Sequence, residues 1–92
     1  MTTDIVDGHL VSGQTLSVVR FLYERARERR AAASREEARV KKILREHGIN
    51  ARLVVTAKMA QLLRYARRDV DEADLLIGAC PRQTPTDETW TG

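Results

Sequence analysis

The chain has 92 residues, a net charge of +3 and a single cysteine, so it is bounded to one small domain without an internal disulfide. Only 4% of its residues are aromatic, which leaves aliphatic side chains to build the core and favours helices. No apolar run has the length of a signal peptide or a membrane span, so we expect a cytoplasmic protein in reducing surroundings.

The first thirteen residues contain Asp7-Gly8, a dipeptide that is typical of a tight turn, between two short apolar pairs. Strands of that length are too short to make a hairpin that is stable alone. Residues 1–13 are therefore predicted to form an extended arm that folds back on the helices.

A helical period begins at Gln14 and keeps its phase for about thirty residues. The capping-box pattern of Ser34–Glu37 could start a second helix, but such a break is expected to reset the phase. We therefore predict one helix over 14–47, about 50 Å long. Its apolar positions fall within an arc of about 60° and are Val19, Leu22, Ala26, Ala33, Val40 and Leu44.

The residues after the long helix carry the most specific local pattern in the chain. Gly48 is suited to the left-handed position of a Schellman ending, in which Ile49 returns to Leu44. Asn50 then has the position and chemistry of an N-cap. The pattern predicts a turn at 48–50 and a second helix that begins at residue 51.

The second helix is predicted over 51–68, although the β-branched Val54-Val55-Thr56 run leaves a short strand there as an alternative. Acidic residues at 69–72 form another capping box, which predicts a short third helix over 70–77. The buried face of the second helix comprises Val55, Met59, Leu62, Leu63 and Ala66.

The predicted fold class is all-α, with a helical domain over 14–78 between the arm and a polar tail over 79–92. A second helix about 27 Å long would cover only the far half of the first helix. The near half would then remain open for a second copy or another protein, so we expect a homodimer or a complex with a protein partner. The open surface would comprise Val18, Val19, Leu22 and Ala26.

The sequence contains few residues in patterns that suggest a chemical reaction. His9 follows a turn and His47 ends a helix, where each has a structural explanation. No cluster has metal-ligand spacing, and no glycine-rich loop resembles a phosphate cradle. We therefore expect no enzyme, no metal, no cofactor and no small-molecule substrate.

Charge is strongly segregated along the chain, with −2 over residues 1–19, +10 over 20–68 and −5 over 69–92. The basic middle segment indicates a polyanion or an acidic protein as partner. The corner at Gly48 also resembles the turn of a helix-turn-helix DNA reader, although Leu44 stands where that motif has a small side chain. The predicted basic surface comprises Lys58, Gln61, Arg64, Tyr65, Arg67 and Arg68.

Two functions fit these observations. The first is a small non-enzymatic interaction module, such as an adaptor, an inhibitor or a component of an assembly like a phage particle. The alternative is a basic helical regulator that binds nucleic acid through phosphate contacts. Trp90, in the tail, is either docked on the domain or an anchor for a partner.

Overall fold

The computed structural model describes residues 3–83 and shows a mainly helical protein with one small sheet. A β-hairpin leads into a long helix, which a non-helical connection of ten residues, 47–56, joins to a second, antiparallel helix. The described part of the molecule measures 72 × 27 × 16 Å. The elements are β1 (Thr3–Val6), β2 (His9–Ser12), α1 (Gly13–Glu46) and α2 (Ala57–Gly78).

The first residues fold back on the helices as predicted, but they form an antiparallel hairpin and not an open arm. Asp7 and Gly8 have φ values of 49° and 79° and make the predicted tight turn. The short strands are stabilised by tertiary packing, because Val11 is fully buried against both helices. The chain beyond α2 also pairs with them, since the Leu10 amide donates to the Pro81 carbonyl at 2.7 Å.

The prediction of one continuous long helix is confirmed by α1. Ser12 caps its start, where the Ser12 hydroxyl accepts the Thr15 amide at 3.2 Å. At the other end Gly48 has a φ of 79°, and the Ile49 amide donates to the Leu44 carbonyl at 2.8 Å. This is the predicted Schellman ending.

The start predicted for the second helix is wrong, because the chain is not helical from Ile49 to Thr56 and bends at Arg52. The Thr56 hydroxyl, not Asn50, caps α2 and accepts the Met59 amide at 3.1 Å. β-Branched residues before Thr56 favour extended backbone, and the burial of Val54 fixes the connection against the helices. The alternative strand is also absent from this connection.

The predicted third helix does not exist separately, since α2 continues through Asp69 to Gly78. Asp69 does not cap a new helix, because its carboxylate binds arginine side chains of α1 instead. Ala66, Ala73 and Ile77 keep the same buried phase on both sides of it. One helix of 22 residues therefore replaces the two that were predicted.

The surface predicted to remain open on α1 is largely covered. Because α2 starts later and runs further than expected, its second half reaches the beginning of α1. Val19, Leu22 and Ala26 are buried, and only Val18 of that set is exposed. The main core cluster comprises Val11, Val19, Leu22, Ala73 and Ile77.

A buried carboxylate sets the alignment of the two helices. Asp69 is only 2% exposed, and its oxygens accept from Arg25 Nη2 at 2.8 Å and from Arg29 Nη1 at 2.9 Å. The hydrogen bonds from Arg25 lower the pKa of Asp69 against the opposing effect of burial. A second contact across the helices joins the Tyr23 hydroxyl to Asp74 at 2.9 Å.

Candidate docking groove at the tip

We call the end of the molecule where α1 and α2 are connected the tip, and the end that carries the β-hairpin the base. A groove of about 400 Å³ lies at the tip between α1, the connection and the start of α2. We call it the tip groove. It is lined by Arg30, Ala33, Ser34, Glu37, Leu53, Val54, Val55, Met59 and Leu63.

Exposed and buried side chains alternate over residues 53–55 of the connection, as in extended backbone, and this explains why large apolar side chains line the tip groove. Successive side chains of extended backbone point to opposite sides. Val54 is therefore buried, whereas its neighbours Leu53 and Val55 are 78% and 64% exposed. Leu63 of α2 is 45% exposed on the same groove.

The tip is strongly basic. Residues 30–68 carry eleven Lys and Arg against three Glu. Of the groove's own polar residues, Glu37 has an ion pair with Lys41 at 3.6 Å. Several cations of this segment form no ion pair with another residue of the range 3–83, namely Arg30, Arg35, Lys42, Arg45, Arg52, Arg64, Arg67 and Arg68.

Glu36 is a buried acid beneath the tip. Arg39 donates to it from the next turn of α1, and Lys58 Nζ of α2 lies 3.5 Å from its Oε2. The hydrogen bond from Arg39 is the main cause that holds the pKa of Glu36 below its ordinary value. Glu36 thereby links the start of α2 to the middle of α1.

The structure brings four of the six predicted basic-surface residues together. Gln61, Arg64, Tyr65 and Arg68 line a shallow depression on the outer side of α2. Arg67 is also exposed on this helix, whereas Lys58 is directed to Glu36.

Tyr65 is less free to stack on a base than the sequence suggests. The guanidinium carbon of Arg29 lies 5.1 Å from the centre of its ring, a cation–π contact that occupies one face.

The two histidines have structural roles, and the corner at Gly48 does not belong to the tip groove. His9 Nδ1 is 2.9 Å from the Cys80 carbonyl and His47 Nδ1 is 3.0 Å from the Ile43 carbonyl, so each histidine hydrogen-bonds to backbone near a helix end. Trp90 lies outside the described residues. The helix-turn-helix resemblance is wrong, because the residues 47–56 separate the helices where that motif has a turn of three or four.

Sequence reasoning missed Leu53 and wrongly predicted Val55 and Leu63 on the buried face of the second helix, since both are exposed. The predicted helix over 51–68 includes Leu53 outside its buried face. The signal that could have identified it is the Val54-Val55-Thr56 run followed by a helix-forming segment. Two β-branched residues and a threonine suit extended backbone ending in an N-cap.

Within residues 3–83 no group of three or more histidine, cysteine or acidic side chains is arranged to hold a metal ion. Neither α1 nor α2 contains an apolar stretch of the length needed to cross a membrane. Comparison of the chain with protein-family models, curated proteins and solved structures found no match.

Proposed function

We propose that the chain is a non-enzymatic helical interaction module that binds an apolar segment of a protein partner in the tip groove. The observation that carries this proposal is the exposure of Leu53, Val55 and Leu63 around one groove. Contiguous apolar surface of this kind marks sites of protein association on small domains. An adaptor, an inhibitor and a small assembly component would each use such a site.

The energetic reason lies in the area that a partner would remove from water. Burying one Leu or Val side chain fully contributes about 1.5–3 kcal/mol. Leu53 and Val55 lie on a connection whose backbone is fixed by Val54 and by the caps at both ends, so little order has to be gained on binding. The groove therefore offers anchoring positions at a small entropic cost.

The charge of the tip selects the kind of partner. Arg30 lines the groove and forms no ion pair with another residue of the range 3–83, and residues 30–68, which form the tip, carry a net charge of +8. A segment with apolar residues flanked by Asp and Glu would match both the groove and its surroundings. We therefore propose an acidic amphipathic helix as the occupant.

A pair of synthetic helical peptides tests this proposal. One has leucines at positions i, i+3, i+4 and i+7 with glutamates between them, and its control has lysines in place of the glutamates. We expect the glutamate peptide to bind more tightly by fluorescence anisotropy, with an affinity that falls as salt is added. Equal affinities would reject the acidic partner.

Two variants locate the binding. Leu53→Glu places a negative charge in the groove and should weaken binding of the glutamate peptide at least about tenfold. Phe21→Glu is the matched control, because Phe21 is similarly large and 58% exposed but lies near the base. The groove is rejected if both variants bind the peptide as the unmodified protein does.

A nucleic-acid function is the second candidate, favoured by the depression that Gln61, Arg64, Tyr65 and Arg68 share. Phosphate contacts by Arg64, Arg67, Arg68 and Lys58 would give a slope of log K against log salt of about −0.9 per contact. Arg64→Ala with Arg68→Ala should flatten that slope by about two units for all sequences alike. No binding to duplex DNA at low salt would remove this candidate.

A further inference from the structure

We propose that two copies of this chain associate through the outer side of α2, antiparallel and related by a two-fold axis at the level of Asp69. This goes beyond the proposed function, since the contact lies along α2 and needs no other protein. It rests on a row of residues that we call the outer stripe of α2. The outer stripe comprises Ala60, Leu63, Arg64, Arg67, Asp71, Asp74, Leu75 and Gly78.

The outer stripe lies on the side of α2 opposite the buried Asp69. Its edge residues Asp74 and Leu63 contact α1, since Asp74 accepts the Tyr23 hydroxyl and Leu63 lines the tip groove. At 100° per residue its members fall within an arc of about 120°, centred opposite the buried Asp69. Leu75 is 74% exposed at one end of the stripe, and Leu63 is half-exposed at the other. Neither leucine belongs to the buried core of the described residues.

The order of side chains along the outer stripe is self-complementary in the antiparallel direction. Positions equally distant from residue 69 meet at the same level of the two helices. Arg67 then lies opposite Asp71 of the second copy at the centre of the contact, where the two side chains can form an ion pair. These two side chains form no ion pair within residues 3–83 of their own chain.

The outer levels follow the same rule. Beyond the centre, the two-fold axis brings the exposed Leu75 of the second copy beside the aliphatic part of Arg64, whereas Leu63 and Asp74 lie at the edge of the contact. Ala60 meets Gly78, and their small side chains let the helices approach. A Cβ atom added at Gly78 would contact nothing within 4 Å, so this position is open on its own chain.

The charge of the whole molecule favours the same direction. Residues 3–29 and 69–83, which form the base, carry eight Asp and Glu against five Lys and Arg, whereas the tip is basic. An antiparallel pair places each basic tip beside an acidic base. A parallel pair would instead bring Arg64 to Arg64 and Asp71 to Asp71.

The expected dimer is weak. A contact made by one helix from each copy belongs to the small interfaces below about 1,200 Å², which are transient. Association is therefore expected in the micromolar range and should weaken as salt is added.

Charge-reversed variants test the register by sedimentation velocity up to high micromolar concentration. Arg67→Asp puts two acids at each central level, and Asp71→Arg puts two arginines there, so each variant alone should dimerise at least about tenfold more weakly. Mixed together they restore both central Arg–Asp pairs. The mixture should therefore form a heterodimer with an affinity near that of the unmodified protein.

Arg20→Asp on the exposed side of α1 is the control and should leave dimerisation unchanged. A monomeric unmodified protein, or single variants that dimerise normally, would overturn the proposal. A mixture that stays monomeric would overturn it as well. Binding of the acidic peptide and its loss in Leu53→Glu report separately on the tip groove, so failure of one proposal is distinguishable from failure of the other.

Discussion

At the scale of single residues, two buried carboxylates hold a core that is poor in large side chains. Asp69 and Glu36 each take two cationic partners, and each joins α1 to α2. Burying an ion pair gives little net stability compared with an apolar contact, because both charges lose water. A carboxylate that only one alignment of the helices can satisfy does, however, select that alignment.

Replacing Asp69 should be costly for this reason. Asp69→Asn removes the charge that binds Arg25 and Arg29, and we expect the free energy of unfolding to fall by about 2 kcal/mol. Asp71→Asn is the matched control, because it removes the same charge from an exposed position on the same helix. Urea denaturation of both variants at low protein concentration measures the difference, and equal losses would show that Asp69 does not set the packing.

The same carboxylates predict how stability depends on pH. The pKa values of Asp69 and Glu36 are lowered in the folded protein, chiefly by hydrogen bonds from Arg25 and Arg39. Both acids therefore stabilise the fold above their unfolded pKa values of about 4, and this stabilisation is lost as the pH falls further.

The melting temperature should accordingly drop below about pH 4. Circular dichroism melts should show a smaller acid-induced drop in Asp69→Asn than in the unmodified protein. A melting temperature that stays constant down to about pH 2 would contradict this assignment.

At the scale of elements, the ends of the helices are determined by local backbone chemistry. α1 ends at a left-handed glycine, and α2 begins at a threonine cap ten residues after Glu46. The non-helical stretch between them positions Leu53 and Val55 at the tip groove. The position of the groove thus depends on where each helix starts and stops.

Two glycine substitutions should have opposite effects. Gly48→Ala places a Cβ atom at a φ of 79° and should destabilise by about 1 kcal/mol, although the position has open space around it. Gly78→Ala lies in α2, where an alanine should stabilise by about 0.5–1 kcal/mol. Thermal melts of the two variants in dilute solution test this. Changes in melting temperature in the same direction for both variants would contradict the Schellman ending.

The corrected cap can be tested in the same way. Thr56→Ala removes the acceptor of the Met59 amide and should cost about 1 kcal/mol. Asn50→Ala should change stability little, since Asn50 is exposed and caps no helix. Chemical denaturation measures both losses of stability. A larger loss in Asn50→Ala than in Thr56→Ala would indicate that the second helix begins at residue 51.

The sequence predicted the elements that depend on local or periodic patterns. The phase from Val19 to Leu44 predicted α1, and Gly48 with Ile49 predicted its ending. The start of α2 was not predicted, because Asn50 and Thr56 are both acceptable caps and tertiary packing chooses between them.

The continuation of α2 through its acidic segment depends equally on distant residues. The capping-box pattern at Asp69 is real, but its carboxylate is bound by Arg25 and Arg29, which lie 44 and 40 positions earlier in the chain. The hairpin was underestimated for the same reason, since burial of Val11 by both helices supplies what the short strands lack. No pattern within either segment reports these contacts.

At the scale of the whole molecule, the fold converts charge segregation along the sequence into a basic end and an acidic end. The acidic first and last segments of the described chain lie together at the base, because α1 and α2 are antiparallel, while the basic middle forms the tip. The charge segregation was predictable from the sequence, but the tip groove was not. It exists only where α1, the connection and α2 come together.

The most direct test of the proposed docking site is to map where the acidic peptide binds. In a methyl-labelled sample, titration with the glutamate peptide should shift the methyl signals of Leu53, Val55 and Met59 at the tip groove. The methyls of Val18 and Ile5, which are exposed near the base, should stay in place. Shifts confined to the base, or no shifts at saturating peptide, would contradict a docking site at the tip.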